Sequence, residues 1–390
     1  MGNPKVEIAH VPSAFGRQGS TLMTVAQRIS DVIEGMGSRS SAILSHNREL
    51  TLHGAVDLHF VDYTSVCPRE WFSRRELAID ILAGRAGHHR PYYGHLYDPA
   101  IGALLENPAQ TILLYEGHYA SASLPRWRRV REHSEVVLYV HNPLSRSYGR
   151  RELERLLDSA DRVAFCADHL RRDVEQRIGR TDPRFITVHN GVDRAFLIGS
   201  DRTPSEDVFQ VLYAGRVTEK KGVHLVLEAV ERALESMTRP IALRIIGSAD
   251  YASADTLSQY ERSLRAHAEK MSVEVEFVPF LSRADLITHL RNASVMCLPS
   301  QWAEGLPLAA LEAMATGLPV VCSDSPGLVE ACADAAIVVP GGAPDGLAAA
   351  FVRLADDDEW ARRSRASRER ASAFTWEGAV SALIGKAGQD

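Results

Sequence analysis

Short apolar segments alternate with charged, helix-like segments along nearly the whole 390-residue chain. The first apolar segment, residues 6–10, leads through a polar turn that contains glycines into a helical pattern at residues 21–36, closed by Gly37. Further strand candidates lie at residues 41–44, 111–114, 136–140, 162–165 and 185–188. Alternation of this kind predicts a parallel sheet covered by helices.

A second series of the same kind begins after residues 201–207, a polar stretch with a proline that is typical of a linker. Its strand candidates lie at residues 209–214, 241–246, 273–278, 295–298, 320–322 and 336–339. The sequence therefore predicts an α/β protein with two Rossmann-like domains, residues 1–200 and 208–374. We expect the two parallel sheets to face each other across a cleft between the carboxyl ends of their strands. Open α/β sheets bind ligands at those ends, so the cleft is the expected binding site.

Composition narrows the classes of function. With 45% apolar and 24% charged residues the chain is typical of a globular protein, and its net charge of −6 argues against nucleic acid as the main partner. The five cysteines include no CxxC pair, so we expect reduced thiols rather than a disulfide framework or a zinc site. The N-terminus lacks the apolar core of a signal peptide, and no apolar run approaches the ~20 residues of a membrane-spanning helix. We therefore expect a cytoplasmic location.

The most informative stretch is residues 299–314, PSQWAEGLPLAALEAM. A strand candidate ends just before it, and Pro307 is predicted to occupy the first position of the following helix, where its missing N–H group costs nothing. Glu304 then lies on the loop, and Glu312 lies just over one turn into the helix. We expect free N–H groups at the start of this helix to form an anion site, assisted by the helix dipole, that suits a diphosphate.

Carboxylates beside a diphosphate site can act as hydrogen-bond acceptors, so Glu304 and Glu312 could bind the hydroxyls of a sugar and a ribose. A second stretch, residues 213–222 (YAGRVTEKKG), leaves the carboxyl end of the first strand in the second domain. Its Arg216 and Lys221 would flank the same site and could stabilise charge on a departing phosphate. Taken singly, each stretch is also compatible with a plain structural role, as a helix cap or a solvated basic loop.

Together these stretches resemble the retaining glycosyltransferases of family four, the glycosyl transferases group 1, which have the GT-B fold. In that family an arginine and a lysine five residues apart precede a glycine and a helix, and a Glu-x7-Glu pattern follows later in the chain. Arg216 and Lys221 match the first pattern, and Glu304 and Glu312 match the second. The order of the two patterns is also that of the family.

Three further matches extend the resemblance over most of the chain. They are Asn190-Gly191-Val192-Asp193, the histidine His141 after a first-domain strand, and Phe374-Thr375-Trp376-Glu377. The last match implies that a helix at residues 375–390 packs back on the first domain. One departure lies in the first loop, where the family has adjacent glycines and this chain has Gly16-Arg17-Gln18-Gly19.

The resemblance implies a role for each matched residue. Arg216 and Lys221 would neutralise the leaving diphosphate, Glu304 would hold hydroxyls of the transferred sugar, and Glu312 would hold the nucleotide ribose. His141 would lie near the reacting sugar. The remaining donor-binding candidates are Gly16, Gly19, Gly215, Phe280, Leu281, Gly305, Leu306 and Pro307.

Several of these interpretations leave alternatives open. Backbone near Phe280 and Leu281 would recognise the base, unless Phe280 belongs to the core. The acceptor candidates are Arg17, Glu116, His118 and Asn142; a solvent-facing Arg17 and a structural turn at Glu116 and His118 are the alternatives. Residues 87–95 form either a surface excursion or an acceptor-binding loop.

Two charged stretches also have more than one interpretation. The basic stretch 125–131 is either a solvated helix face, which we favour, or a membrane-docking helix. The acidic run 356–358 superficially resembles a metal motif, but its position between C-terminal helices favours a solvated charge cluster.

The sequence therefore predicts a retaining transferase that moves a hexosyl or N-acetylhexosaminyl unit from a nucleotide diphosphate sugar to a hydroxyl. We expect a uridine diphosphate sugar as donor and a soluble small acceptor such as a sugar, a cyclitol or a natural product. We expect no metal, no cofactor, no nucleic acid, no membrane association as the default, and a monomer or homodimer. The alternatives are a lipid-linked or polysaccharide acceptor, a sugar-nucleotide epimerase on the same fold, and a non-catalytic subunit that binds sugar nucleotides.

Overall fold

The computed structural model describes residues 7–15, 20–37, 41–48, 50–52, 54, 56–69, 72–115, 117–198, 207–249, 257–279 and 281–384. The chain divides into two compact units, Met1–Asn190 with Trp376–Asp390, and Gly191–Thr375. The first unit thus ends at Asn190 rather than at residue 200. The reason is local, because Val192 donates from its N–H to the Phe374 carbonyl at 3.0 Å and forms a parallel bridge with Thr375 inside the second unit.

The first unit contains a seven-stranded parallel sheet in the order β3-β2-β1-β4-β5-β6-β7. Its strands are β1 Ile8–Val11, β2 Ser41–Ser45, β3 Asp57–Phe60, β4 Thr111–Leu114, β5 Glu135–Val140, β6 Arg162–Phe165 and β7 Phe185–Thr187. Its helices are α1 Thr21–Gly35, α2 Arg74–Arg85, α3 Asp98–Glu106, α4 Gly117–Ser123, α5 Arg128–Arg131, α6 Arg150–Leu157 and α7 Asp168–Ile178, with the C-terminal α16 Trp376–Ile384.

The second unit contains a six-stranded parallel sheet in the order β10-β9-β8-β11-β12-β13. Its strands are β8 Phe209–Ala214, β9 Ile241–Ile246, β10 Glu274–Val278, β11 Val295–Leu298, β12 Val320–Ser323 and β13 Ile337–Val339. Its helices are α8 Arg194–Leu197, α9 Val223–Ala233, α10 Gln259–Ala268, α11 Arg283–Asn292, α12 Leu308–Ala315, α13 Pro326–Cys332, α14 Pro344–Leu354 and α15 Asp357–Ser372.

Both sheets are built mainly from apolar strands. The strands β1, β2, β4, β11 and β12 are buried along their whole length, as parallel strands covered on both faces must be. Two Rossmann-like parallel sheets were predicted, and the predicted α/β class is confirmed. The edge strand β3 was not predicted, because its residues DLHF are mostly exposed and carry no apolar pattern.

The C-terminal helix α16 belongs to the first unit, where it packs with α1. Arg162, at the start of β6, donates from Nη2 to the Leu383 carbonyl at 2.5 Å. Such a contact supplies a hydrogen-bond donor to one of the last carbonyl groups of a helix, which have no partner within the helix. No helix in the described part of the chain has the length and apolarity required to cross a membrane.

Candidate functional site

Two loops meet at the carboxyl edge of the second sheet. The loop after β8 ends in a 3-10 turn, Glu219–Lys221, and Gly222 follows it at φ +70°. A Cβ atom at Gly222 would lie 2.2 Å from the carbonyl oxygen of Pro299, the residue that follows β11. The N–H of Gln301 donates to the Lys220 carbonyl at 2.8 Å. The glycine therefore permits the close approach that fixes one loop against the other.

The contact between the loops brings Lys221 and Glu304 together. Lys221 donates from Nζ to Glu304 Oε1 at 2.5 Å, and the side chains are 22% and 13% exposed. Ser300 donates from Oγ to the same Oε1 atom at 2.6 Å. The other carboxylate oxygen, Oε2, has no hydrogen-bond partner among the residues that the structure describes. One oxygen of Glu304 is thus held by the protein, and the other remains able to accept from a ligand.

Arg216 lies on the same loop as Lys221 and its side chain is exposed. Its carbonyl oxygen accepts a hydrogen bond from the buried Tyr213 hydroxyl at 2.7 Å, which anchors the loop from below. Within the described ranges its guanidinium has no ion-pair partner, in contrast to the paired Lys221. Gly215, before Arg216, has φ +152°, and its carbonyl would lie 2.1 Å from a Cβ atom at Gly247.

The loop that carries Glu304 is supported by residues that follow β12, the neighbouring strand. Glu304 donates from its N–H to Ser325 Oγ at 3.1 Å, and that hydroxyl donates to the Trp302 carbonyl at 2.7 Å. At Gly327 an added Cβ atom would lie 1.7 Å from the Gly305 carbonyl oxygen. Sequence reasoning missed these supports, although the glycine and serines just after a strand were a usable signal.

The helix α12 begins one residue later than predicted. Pro307 is its N-cap, with φ −74° and ψ 116°, and Leu308 is the first helical residue. Leu306 is buried, while Gly305 is partly exposed. Gly317 follows the helix at φ +76°, the left-handed conformation that commonly ends a helix.

Glu312 is buried in α12, where it forms an ion pair with Arg283. Arg283 is the first residue of α11, and its Nε atom lies 3.1 Å from Asp193 Oδ2. The arginine is 29% exposed and Glu312 only 9%. Sequence reasoning assigned Glu312 to a ribose and did not foresee this arginine, which lies 29 residues earlier in the chain.

In the first unit, His141 follows β5 and is buried. Its ring packs against Tyr139 with centroids 4.3 Å apart and against Tyr115 at 6.1 Å. Burial lowers the pKa of His141 from 6.5 to about 3, so the ring is neutral at physiological pH. Its Nε2 atom has no hydrogen-bond partner in the described part of the chain. A neutral imidazole with a vacant nitrogen can donate or accept one hydrogen bond.

Tyr115 also packs on a second buried histidine, His10 on β1, with ring centroids 5.8 Å apart. His10 shares a 2.6 Å hydrogen bond between Nδ1 and the Tyr115 hydroxyl, and its Nε2 lies 3.1 Å from Ser30 Oγ. Burial also lowers the pKa of His10 to about 3. Tyr139 donates from its hydroxyl to the Val188 carbonyl at 2.7 Å. The aromatic residues that pack on His141 are therefore held in place by hydrogen bonds.

Eight further predicted site residues divide into two groups. Gly16, Arg17, Gly19, Glu116 and Phe280 lie outside the described residues. His118 lies in α4, and Asn142 is exposed immediately after His141. Leu281 is partly exposed in the connection between β10 and α11.

Residues 87–95 are partly core, which neither sequence interpretation expected. Arg90 forms a buried two-bond ion pair with Glu152, at 2.8 Å and 3.1 Å. Tyr93 stacks on Tyr119 with ring centroids 4.4 Å apart. The ion pair and the stacked ring fix the segment to its own unit, so its central residues have a structural role.

One residue in each of the two charged stretches has a structural role. In the basic stretch 125–131, Trp127 is buried and donates from Nε1 to Ser123 Oγ at 3.0 Å. Asp356 caps α15 by accepting from the Glu359 N–H at 2.9 Å. Among the described residues there is no group of three or more histidine, cysteine, aspartate or glutamate side chains that could hold a metal ion.

The second unit is the part of the chain that matches a known family. Residues 200–371, nearly the whole second unit, match the family of glycosyl transferases group 1. The chain is 32% identical over 230 residues to a glycogen synthase of Mycobacterium tuberculosis, covering 57% of this chain and 52% of the relative. It is 28% identical over 354 residues to a D-inositol 3-phosphate glycosyltransferase of Geodermatophilus obscurus, covering 83% and 74%. The chain thus spans about half the length of the glycogen synthase it matches.

Solved structures share the fold over nearly the full length. HepE of Anabaena in complex with UDP-glucose has a TM-score of 0.69 at 15% identity, with 97% of this chain and 98% of that chain covered. Sucrose-phosphate synthase from Thermosynechococcus elongatus has a TM-score of 0.69 at 19% identity, with 98% of each chain covered. The fold is therefore the two-domain GT-B fold, and residues 200–371 of its second unit match the family of glycosyl transferases group 1.

Proposed function

We propose that this chain is a retaining glycosyltransferase that moves a hexosyl or N-acetylhexosaminyl unit from a nucleotide diphosphate sugar to a hydroxyl of a small acceptor. One observation carries most of the weight: Lys221, Ser300 and Glu304 form a single cluster at the carboxyl edge of the second sheet. A cation for phosphate and an acid for sugar hydroxyls are thus side by side in the part of the chain that matches a glycosyltransferase family.

Names of relatives favour particular substrates. HepE was solved with UDP-glucose, which supports a uridine diphosphate sugar as donor. The Geodermatophilus obscurus relative is named for transfer to D-inositol 3-phosphate, which supports a small polar acceptor such as a cyclitol or a sugar. We therefore place a UDP-sugar in the second unit, with its diphosphate beside Arg216 and Lys221.

In the proposed reaction the acceptor hydroxyl oxygen forms a bond to the anomeric carbon while the bond from that carbon to the β-phosphate oxygen breaks. Attack on the face that the diphosphate leaves retains the anomeric configuration, and the hydroxyl proton passes to the released diphosphate. Arg216 and Lys221 offset the negative charge that develops on the β-phosphate. Two side-chain cations supply the charge that a metal ion would otherwise provide, so we propose no metal or cofactor.

The other site residues bind hydroxyl groups in this proposal. Glu304 accepts from the transferred sugar through Oε2, the oxygen with no described partner. Glu312 accepts from the ribose while Arg283 keeps its carboxylate in position. In the first unit, His141 offers one hydrogen bond to a substrate hydroxyl through its neutral Nε2, which lacks another hydrogen-bond partner in the described chain.

A panel of nucleotide sugars tests the proposed function directly. In a thermal-shift assay, the correct donor at about 100 times its dissociation constant should stabilise the protein by about 2.7 kcal/mol. Incubation of that donor with candidate acceptors, followed by mass spectrometry, should then show the mass of a glycosylated acceptor.

Donor alone provides the control for the competing activity. Slow hydrolysis of the donor agrees with a transferase, whereas conversion to an epimeric sugar nucleotide would favour an epimerase. A panel in which no nucleotide sugar stabilises the protein would overturn the proposed function.

A further inference from the structure

The ion pair between Lys221 and Glu304 opposes one of the tasks proposed for the lysine. A diphosphate needs Lys221 as a counter-charge, but Glu304 holds that cation in an ion pair at 2.5 Å. The contact is partly shielded from water, so the attraction is stronger than for a pair on the open surface. A phosphate that binds Lys221 must therefore compete with the carboxylate.

The two partners of Glu304 are not equally replaceable. Ser300 is buried, and its carbonyl oxygen also accepts from Ser323 Oγ at 2.6 Å, which fixes the serine to β12. Lys221 carries its charge on a flexible four-carbon chain with three donors. When the pair opens, we expect the carboxylate to stay on Ser300 and the ammonium group to move.

We propose that Glu304 acts as an intramolecular competitor of the nucleoside diphosphate and promotes its release. The intact donor offers Glu304 sugar hydroxyls at Oε2, which compensate the carboxylate when Lys221 leaves Oε1 for the diphosphate. After transfer the sugar leaves the nucleotide, Glu304 loses those hydroxyls, and the carboxylate recaptures Lys221. This inference rests on the proposed function, because it assumes that the donor occupies the cluster.

The exchange of partners predicts that removal of the Glu304 charge affects the binding of a nucleoside diphosphate and of a nucleotide sugar differently. A nucleoside diphosphate without sugar gains nothing from Glu304 and is opposed by its charge, so removal of that charge should tighten binding. A nucleotide sugar loses a hydroxyl acceptor by the same substitution, so its binding should not tighten. Arg216 does not take part in this competition, since its guanidinium has no ion-pair partner within the described chain.

Calorimetric titration of UDP and of the best-stabilising UDP-sugar into wild type, Glu304→Gln and Glu219→Gln tests the inference. Glu219→Gln is the matched control, because it removes the same charge from an exposed residue two positions before Lys221. Glu304→Gln should lower the dissociation constant of UDP about three- to tenfold, the size of a partly shielded ion pair. The dissociation constant of the UDP-sugar should stay the same or rise, and the control should change neither.

The addition of Lys221→Met to Glu304→Gln should abolish the gain, because no ammonium group remains to be released. If Glu304→Gln does not fold, Glu304→Ala allows the same comparison, because it also removes the carboxylate charge. UDP that binds Glu304→Gln no tighter than wild type would overturn the inference, as would an equal gain in Glu219→Gln. A wild-type protein that binds neither UDP nor any nucleotide sugar would instead overturn the proposed function.

Discussion

Arg283 forms an ion pair with Glu312, the second acid of the Glu-x7-Glu pattern, and also lies 3.1 Å from Asp193. The arginine thus holds two carboxylates that would otherwise repel each other. Glu312 is almost fully buried, and a buried carboxylate without a cation costs several kcal/mol. The orientation of Glu312, which we propose as the hydrogen-bond acceptor for the ribose, therefore depends on Arg283 in another helix.

Arg283→Gln should weaken nucleotide binding. Loss of the charged hydrogen bond to Glu312 should raise the dissociation constant of UDP about tenfold or more, the usual cost of a hydrogen bond to a charged group. Titration calorimetry measures the effect, and Arg291→Gln, near the other end of α11, is the control. Equal affinities of the two variants for UDP would contradict a role of Arg283 in positioning Glu312.

Lys221→Ala should reduce kcat by about 10²–10³, the typical cost of removing one preorganised electrostatic partner of a transition state. The neighbouring lysine is a matched control, because Lys220 Nζ lies 4.3 Å from the centre of the Trp302 ring rather than on Glu304. Lys220→Ala should retain most of the turnover. Steady-state kinetics with the donor identified in the panel makes the measurement, and unchanged turnover of Lys221→Ala would reject its assignment.

Sequence patterns indicated those parts of the candidate site whose residues lie close together in the sequence. Arg216 and Lys221 lie on one loop, Glu304 and Glu312 lie on one loop and helix, and both loops follow strands that were predicted for the same parallel sheet. In the structure Lys221 and Glu304 form an ion pair. The roles assigned to them remain predictions.

Contacts between distant segments were not predictable in the same way. Arg283 begins a helix with no motif of its own, and nothing in its immediate sequence indicates that it reaches Glu312. The edge strand β3 escaped because its exposed polar residues carry no alternation. Gly327 was detectable in principle, since it follows a strand that neighbours β11, but its function is steric and depends on exact distances.

Gly327→Ala should disturb the loop that carries Glu304. The new Cβ atom would lie 1.7 Å from the Gly305 carbonyl oxygen, so the backbone of one segment must move. Overpacking of this kind costs about 1–3 kcal/mol, and the affinity for UDP should fall with it. Gly102→Ala is the control, because a Cβ atom there meets nothing within 4 Å in α3. Chemical denaturation and calorimetry should show losses only for Gly327→Ala.

Arg90→Met should destabilise the first unit strongly. It leaves Glu152, 4% exposed, as a buried carboxylate without its partner, which costs about 3–5 kcal/mol. The double variant Arg90→Met with Glu152→Leu should recover part of this loss, because the unpaired Glu152 is gone while the buried Asp80 keeps its hydrogen bonds from the Tyr92 and Tyr93 N–H groups. By contrast, Arg150→Met breaks an exposed pair with Glu154 and should cost less than about 1 kcal/mol. Similar free energies of unfolding for Arg90→Met and Arg150→Met would contradict the prediction.

The two buried histidines should make stability depend on pH. The pKa of His10 and of His141 is about 3 in the folded chain and about 6.5 when unfolded. Between those values only the unfolded chain binds the two protons, so the free energy of unfolding decreases as the pH falls below 6.5. Each histidine should contribute about 1.4 kcal/mol of lost stability per pH unit over this range.

The variant His10→Gln isolates the contribution of His10 to the pH dependence of stability from the contributions of His141 and of the carboxylates. The substitution removes the proton-binding group at position 10 while it leaves His141 in place, so the pH dependence should become shallower by about 1.4 kcal/mol per pH unit between pH 6 and pH 5. Denaturant unfolding of wild type and variant at both pH values gives the difference. The variant should be less stable at pH 7, because the hydrogen bond to Tyr115 is weakened, yet the gap should narrow as the pH falls. An unchanged slope would mean that His10 is protonated in the folded protein and that burial does not keep it neutral.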